Sequence, residues 1–144
     1  MNSNFLEISN ATFVASKKNK VRDVSLKIER KGEIVCLLGP SGSGKTTILR
    51  TLAGLQELQS GLIKLKGKTI SSIDFNLEPE KRNIALCFQD NSLFPNYNVI
   101  DNINIGSKKP NGSKFNYSDN DLIKIFHLED IKDKFPHEIS AGEA

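Results

Sequence analysis

The chain has 144 residues, of which 38% are hydrophobic and 26% are charged, and its formal net charge is +3. This composition is typical of one globular domain, and because the lysines are scattered we predict no nucleic-acid partner. No apolar run reaches the ~18 residues of a membrane-spanning helix, and the N-terminal residues lack the pattern of a signal peptide.

The first predicted elements are strands. Residues 6–8 and 24–29 alternate apolar and polar side chains, which is typical of antiparallel strands with one buried face. A turn at Lys31-Gly32 then leads into residues 34–38, and this continuous apolar run predicts a fully buried strand.

An eight-residue motif follows the predicted buried strand directly. It reads Gly39-Pro40-Ser41-Gly42-Ser43-Gly44-Lys45-Thr46 and matches the phosphate-binding loop G-x-x-x-x-G-K-[ST]. Its glycines permit the backbone angles that point successive N–H groups at one anion. The helix predicted over 46–53, ended by Gly54, adds the positive end of its dipole. Chance produces such a match in roughly 1 in 200 chains of this length.

The residue types in the motif predict how a nucleoside triphosphate is held. Lys45 is placed to reach the β- and γ-phosphates, and the Thr46 hydroxyl is placed to coordinate Mg²⁺. Thr47 adds a hydroxyl near the α-phosphate. The structural alternative, a Gly/Ser-rich turn before an ordinary helix, is weaker because strand, loop and helix agree.

The later elements divide the chain into two parts. The first part contains a hairpin of strands 62–66 and 69–70 around Gly67-Lys68, a polar connector at 78–82 and a second buried strand at 84–88. The second part contains a loop at 91–98, a short helix from Val99 to Ile105 and a surface loop at 108–116. A further helix begins with a capping box of Ser118 and Asp121. We therefore predict a mixed α/β part over 1–89 and a helical part over 90–144.

The two cysteines, Cys36 and Cys87, both fall inside the predicted buried strands. Free Cys is among the most buried residue types. Because no second pair of cysteines and no histidine lies at ligand spacing, we expect both to be reduced, buried strand residues.

Several segments narrow the choice among phosphate-loop proteins. Residues 82–90 resemble the segment around the Q-loop of ATP-binding-cassette (ABC) proteins, and residues 139–143, Ile-Ser-Ala-Gly-Glu, resemble their L-S-G-G-Q signature. Residues 92–103 look like the segment after the Q-loop in importer ATPases, and 135–138 look like the approach to the signature. In this order the motifs resemble an ABC transporter ATPase subunit of the importer type from about residue 5 to 144.

This resemblance implies a fold, an activity and partners. The fold is α/β, a P-loop NTPase core with an antiparallel β subdomain and a helical subdomain. The activity is MgATP binding and hydrolysis coupled to solute transport, at the cytoplasmic face of the cell membrane. The partners are transmembrane permease subunits, a second ATPase subunit facing head to tail and, indirectly, a solute-binding protein. Residues 88–105 look most like importers of ferric iron, other inorganic ions or polyamines.

The resemblance also implies roles for single residues. Gln89 would contact Mg²⁺ and its water shell at the γ-phosphate. The signature residues would face ATP held by the second subunit; they are Ser140, Ala141, Gly142 and Glu143. The adenine-stacking position falls on Ala15 without a gap, and Phe13 would serve if the following turn carries extra residues.

Purely structural roles for these residues stay open. A plain strand-end residue accounts for Gln89, and an ordinary helix cap accounts for Ser140 with Glu143. His127 and His137 fit surface or packing roles better than catalysis.

Parts of the family pattern are absent from the sequence. No apolar strand followed by Asp-Glu occurs, so the Walker B Asp, the catalytic Glu and the switch His have no counterpart, and Ala141 replaces the first Gly of the signature pair. We expect a partial ABC ATPase domain over 1–144, truncated before the Walker B strand, with strands 34–38 and 84–88 left with unpaired edges. A catalytically inactive nucleotide-binding remnant and a soluble ABC ATPase are the alternatives.

Overall fold

A computed structural model of the chain describes residues 4–15, 20–88, 93–107, 117–140 and 142–143. The chain forms two compact units, Met1–Leu86 and Cys87–Ala144. Within the described residues, the first unit contains an antiparallel sheet and one α-helix, and the second contains two α-helices. The α/β fold class with an antiparallel β subdomain is therefore confirmed. None of the helices among the described residues has the length and apolar character needed to cross a membrane.

Four antiparallel strands form the sheet of the first unit. The strands are β1 (Leu6–Val14), β2 (Lys20–Ile28), β3 (Leu58–Leu65) and β4 (Lys68–Ser72), in the spatial order β2-β1-β3-β4. The predicted strands at 6–8 and 24–29 are confirmed, and both are longer than predicted. The β3–β4 hairpin is also confirmed, because Lys66 and Gly67 form its tight turn with φ of 50° and 76°. Positive φ at both central residues is typical of the hairpin turn whose twist matches the flanking strands.

The core of the first unit lies on one face of this sheet. Leu6 and Ile8, at even-numbered positions of β1, are buried. After Ser9 the buried side chains shift to odd-numbered positions, Ala11 and Phe13. The change occurs at a bulge, where the register of β1 shifts against both neighbouring strands. A Cβ on Gly61 of β3 would lie 2.5 Å from the Ala11 Cα, so only glycine fits opposite the bulge.

Helix α1 (Lys45–Leu52) is held at its C-terminal end by Arg82. The Arg82 guanidinium is 1% exposed and donates to the carbonyl oxygens of Thr51 at 2.9 Å and Leu52 at 3.0 Å. It also donates to the Leu77 carbonyl at 2.7 Å and to the Asn76 side chain at 2.6 Å. A cation bound to the last carbonyls of a helix satisfies groups that have no partner within the helix. Burial lowers the pKa of Arg82.

The two predicted buried strands are wrong. Residues 34–38 and 84–88 are not assigned to any strand, and Ile34 and Leu38 are 94% and 91% exposed. Buried backbone must be hydrogen-bonded, and the described part of the chain offers no adjacent strand to either segment. Without that pairing, apolar side chains alone do not make a buried strand. Cys36 and Cys87 are accordingly free but exposed, which corrects their predicted burial.

The second unit is built around α2 (Val99–Ser107) and α3 (Asp119–Ile125). The first N–H groups of α2 are satisfied from outside the helix, because Val99 N donates to Lys134 O at 3.0 Å and Ile100 N to Lys132 O at 2.9 Å. The predicted capping box of Ser118 and Asp121 begins α3 and is confirmed. Short 3₁₀ turns lie at Pro79–Lys81 in the first unit and Pro136–Glu138 in the second. The predicted loop at 108–116 lies outside the described residues.

Candidate nucleotide site

The phosphate loop has a backbone that only glycine adopts easily. Gly42 and Gly44 have φ of 79° and 95°, in the left-handed region. A Cβ on Gly44 would collide with the Val21 side chain of β2. Glycine at this position therefore allows the loop to lie against the sheet and to turn directly into the helix.

The N-terminus of α1 opens at this loop without a side-chain cap. Gly44 is the N-cap residue and supplies no capping side chain, and the first intrahelical bond runs from Ile48 N to Gly44 O at 3.0 Å. The N–H groups ahead of Ile48 have no helical carbonyl to bind. These donors and the positive end of the helix dipole are the features that an anionic phosphate group needs.

The Lys45 ammonium lies inside the loop. Its Nζ donates to the carbonyl oxygens of Gly39 and Pro40, at 2.8 Å each, and lies 3.4 Å from Ser43 Oγ. The loop therefore folds around a fixed positive charge. A phosphate bound at the N-terminus of α1 would be next to this charge, because Lys45 is itself the first residue of the helix.

The two threonines after Lys45 differ in exposure. Thr46 is exposed and Thr47 is largely buried. A hydroxyl at Thr46 suits Mg²⁺, which prefers oxygen ligands and takes most of them from phosphate and water at sites of this kind. No cluster of three or more His, Cys, Asp or Glu side chains suited to a metal was found in the described portion. The contact of Thr47 with an α-phosphate stays a prediction.

The proposed adenine-stacking role of Phe13 is wrong in this structure. Phe13 is 0% exposed and belongs to the core of the sheet. A ring enclosed by core side chains has no free face on which a base could stack. Ala15, the position without a gap, is exposed but has no ring.

The signature segment carries a local hydrogen-bonded turn. Ser140 N donates to Glu143 Oε2 at 2.8 Å, and Glu143 N donates to Ser140 O at 3.0 Å. The bond from the Ser140 N–H holds the pKa of the Glu143 carboxyl below its ordinary value. This pairing is half of a capping box, the structural role that the sequence leaves open for these residues. Gly142 borders open space, whereas Gln89 and Ala141 lie outside the described residues.

Two residues without a predicted role in the site, His137 and Arg82, make defined contacts in the structure. His137 stacks on Phe135 with ring centroids 5.9 Å apart, which is a packing contact. Arg82, placed by its sequence context in a polar connector, is instead one of the most buried side chains. Its sequence neighbours do not signal this burial, because two of its four oxygen partners belong to residues 51 and 52, some 30 positions earlier.

Comparison with known proteins indicates the same family as the phosphate-binding loop and the order of the sequence motifs. The sequence profile of the family described as ABC transporter matches residues 21–144. The chain therefore belongs to the ABC transporter family. Named members of this family are 33–41% identical to the chain over 125 to 145 residues.

Three of these relatives are import ATP-binding proteins. A spermidine/putrescine import ATP-binding protein of Nitrosospira multiformis is 41% identical over 142 residues, covering 96% of this chain and 37% of the relative. One of the same description from Thermotoga maritima is 39% identical over 125 residues, covering 85% and 33%. An Fe(3+) ions import ATP-binding protein of Haemophilus influenzae is 33% identical over 145 residues, covering 99% and 40%. The chain thus spans between a third and two fifths of the length of these relatives.

Solved ABC cassettes share the fold. A nucleotide-free ATP-binding cassette superposes with a TM-score of 0.75 at 22% identity, covering 98% of this chain and 61% of the cassette. A dimeric cassette in a post-hydrolysis state with ADP and Pi has a TM-score of 0.72 at 21% identity, covering 96% and 64%. At these identities the likeness concerns the fold alone.

Proposed function

We propose that this protein binds MgATP through residues 39–47 and serves as the ATP-binding part of an ABC import system. The observation that carries the proposal is the fixed position of the Lys45 ammonium within a glycine loop that opens onto an uncapped helix end. Backbone N–H donors, a helix dipole and a cation converge there, and each of them attracts a phosphate group.

Each loop residue has a distinct task in this proposal. The loop N–H groups bind phosphate oxygens, and Lys45 exchanges its two carbonyl partners for phosphate oxygens. Thr46 offers its hydroxyl to Mg²⁺. The magnesium ion, when bound, neutralises charge on the β- and γ-phosphates. Gln89 remains the candidate contact of Mg²⁺ and its water shell at the γ-phosphate.

Hydrolysis needs an acidic group that positions the attacking water, and the sequence has no strand followed by Asp-Glu. We propose that this acidic group lies in a segment that corresponds to the part of the relatives beyond the region matched by this chain.

The proposed assembly rests on the resemblance. The signature residues Ser140, Ala141, Gly142 and Glu143 would contact ATP held by a second, head-to-tail subunit. Permease subunits would bind at the cytoplasmic face of the membrane, and a solute-binding protein would deliver the solute. The names of the relatives support polyamines and ferric iron as solute classes.

Titration calorimetry with MgATP tests the loop assignment. Lys45→Ala removes the cation, and a charged hydrogen-bonded contact is worth about 1.5–3 kcal/mol, so affinity should fall roughly 10- to 100-fold. Lys31→Ala, at an exposed turn before the loop, is the matched control and should bind as the unaltered chain does. Equal affinity of the Lys45→Ala variant and the unaltered chain would contradict the proposal.

A further inference from the structure

A separate cavity lies in the first unit at the turn of the β3–β4 hairpin. Its volume is about 450 Å³, within the range of roughly 300–1,000 Å³ that small-molecule sites occupy. The hairpin turn, the residue before β1 and the segment 77–83 form its wall. No residue of the phosphate loop lines it, so it does not belong to the nucleotide site.

The charged side chains that line this cavity are all basic. They are Lys66, Lys68, Lys81 and Arg82. Lys81 is paired with Glu78 at 3.0 Å, but the described residues place no carboxylate within ion-pair distance of the other three.

Arg82 makes the positive charge of this cavity unusual. Its guanidinium is 1% exposed and bonds only to carbonyl and amide oxygens. Those bonds use four of its five N–H groups and leave a full positive charge without a counter-ion. Charges act more strongly where water is excluded, so an anion in the cavity would be attracted by Arg82 and by the two lysines at the rim.

The uncharged part of the wall is mostly apolar. Phe5, Leu65, Ile70 and Leu77 form its apolar surface, and Thr69 and Asn83 add two polar side chains. The Lys66 ammonium lies over the Phe5 ring, 5.6 Å from its centroid, so a cation and an aromatic face adjoin at one point. A ligand that filled this space would need an anionic end and an apolar body.

We propose that this cavity binds a small phosphate monoester with an aromatic or short hydrocarbon body. The doubly negative phosphate lies toward Lys66, Lys68 and Arg82, and the apolar body lies against Phe5 and its neighbours. This cavity and the nucleotide site share no lining residue, so binding here does not require the nucleotide.

Amide NMR shifts with phenyl phosphate as the probe test this site. Saturable shifts are expected at Lys68, Thr69 and Asn83, which line the cavity, and any binding to the phosphate loop is recognised separately by shifts at residues 42–46. Lys68→Met should weaken the cavity binding about fivefold, the effect of one exposed charge pair. Lys20→Met is the matched control, because Lys20 is the exposed first residue of the opposite edge strand, and it should leave the affinity unchanged.

Two simpler probes separate the contributions of charge and apolar surface. Inorganic phosphate and phenol should each bind at least tenfold more weakly than phenyl phosphate at the same amides. The proposal is overturned if the lining amides do not shift, if Lys68→Met binds phenyl phosphate as tightly as Lys20→Met, or if either simpler probe matches phenyl phosphate.

Discussion

The antiparallel sheet and the two unpaired apolar segments of this chain are similar in sequence but different in structure. Ile63 of β3 is 0% exposed, whereas Ile34, in a run that is apolar throughout, is 94% exposed. The four strands of the sheet pair with one another within residues 6–72. Residues 34–38 and 84–88 have no such neighbour in the described structure. The difference shows that an apolar pattern identifies a segment suited to a strand, while the strand itself requires an adjacent backbone.

The largest effect is expected at Arg82, which binds the C-terminal end of α1. Arg82→Met removes a donor from three carbonyl groups. Thr51 O keeps the Gly54 N–H, but the Leu52 and Leu77 oxygens lose the bond that Arg82 supplies, and buried acceptors without partners are costly. The free energy of unfolding should fall by about 4 kcal/mol. Urea unfolding followed by circular dichroism measures it, and Arg22→Met, at an exposed position of β2, should change it by less than about 0.5 kcal/mol. A loss for Arg82→Met as small as that for Arg22→Met would show that Arg82 does not hold the end of α1 in solution.

A matched pair of isoleucines tests the comparison directly. Ile63→Ala opens a cavity in the sheet core and should cost about 3 kcal/mol. Ile34→Ala removes the same atoms from an exposed side chain and should cost less than about 0.5 kcal/mol. The same urea titration measures both. Similar losses for the two variants would show that the Ile34 side chain is buried in solution and that the two regions do not differ.

The smallest effect concerns a helix end in the second unit. The Ser118 hydroxyl donates to Asp121 Oδ2 at 2.7 Å, and this bond, with that of the Ser118 N–H, holds the pKa of Asp121 below its ordinary value of 3.8. A lowered carboxyl pKa means that the stabilisation of α3 is fully present above 3.8 and is lost as the pH falls through the lowered pKa.

Carboxyl carbon NMR measures that titration. Ser118→Ala should raise the pKa of Asp121 toward its ordinary value, since the largest cause is removed. Ser25→Ala, in the sheet of the other unit, should leave it unchanged. A pKa that Ser118→Ala does not move would argue against the capping box in solution.

Features that depend on local sequence were predictable, whereas features that depend on distant segments of the chain were not. The strands 6–8 and 24–29, the hairpin at Gly67 and the start of α3 depend on contacts close in sequence or on a clear period, and they were predictable. The glycine loop with Lys45 was predictable because its chemistry is local. The burial of Arg82 and Phe13 was not predictable. The core around Phe13 and the Thr51 and Leu52 carbonyl groups bound by Arg82 belong to segments distant in the chain. The exposure of Cys36 and Cys87 was not predictable either, because it depends on whether a neighbouring strand is present.

Amide NMR of the nitrogen-15-labelled 144-residue chain, titrated with MgATP, tests the central claim most directly. The account predicts that the largest and saturable shifts fall on Gly42 to Thr46, where backbone donors and the Lys45 ammonium converge. Saturable binding that shifts amides elsewhere and leaves those of the loop unmoved would contradict it.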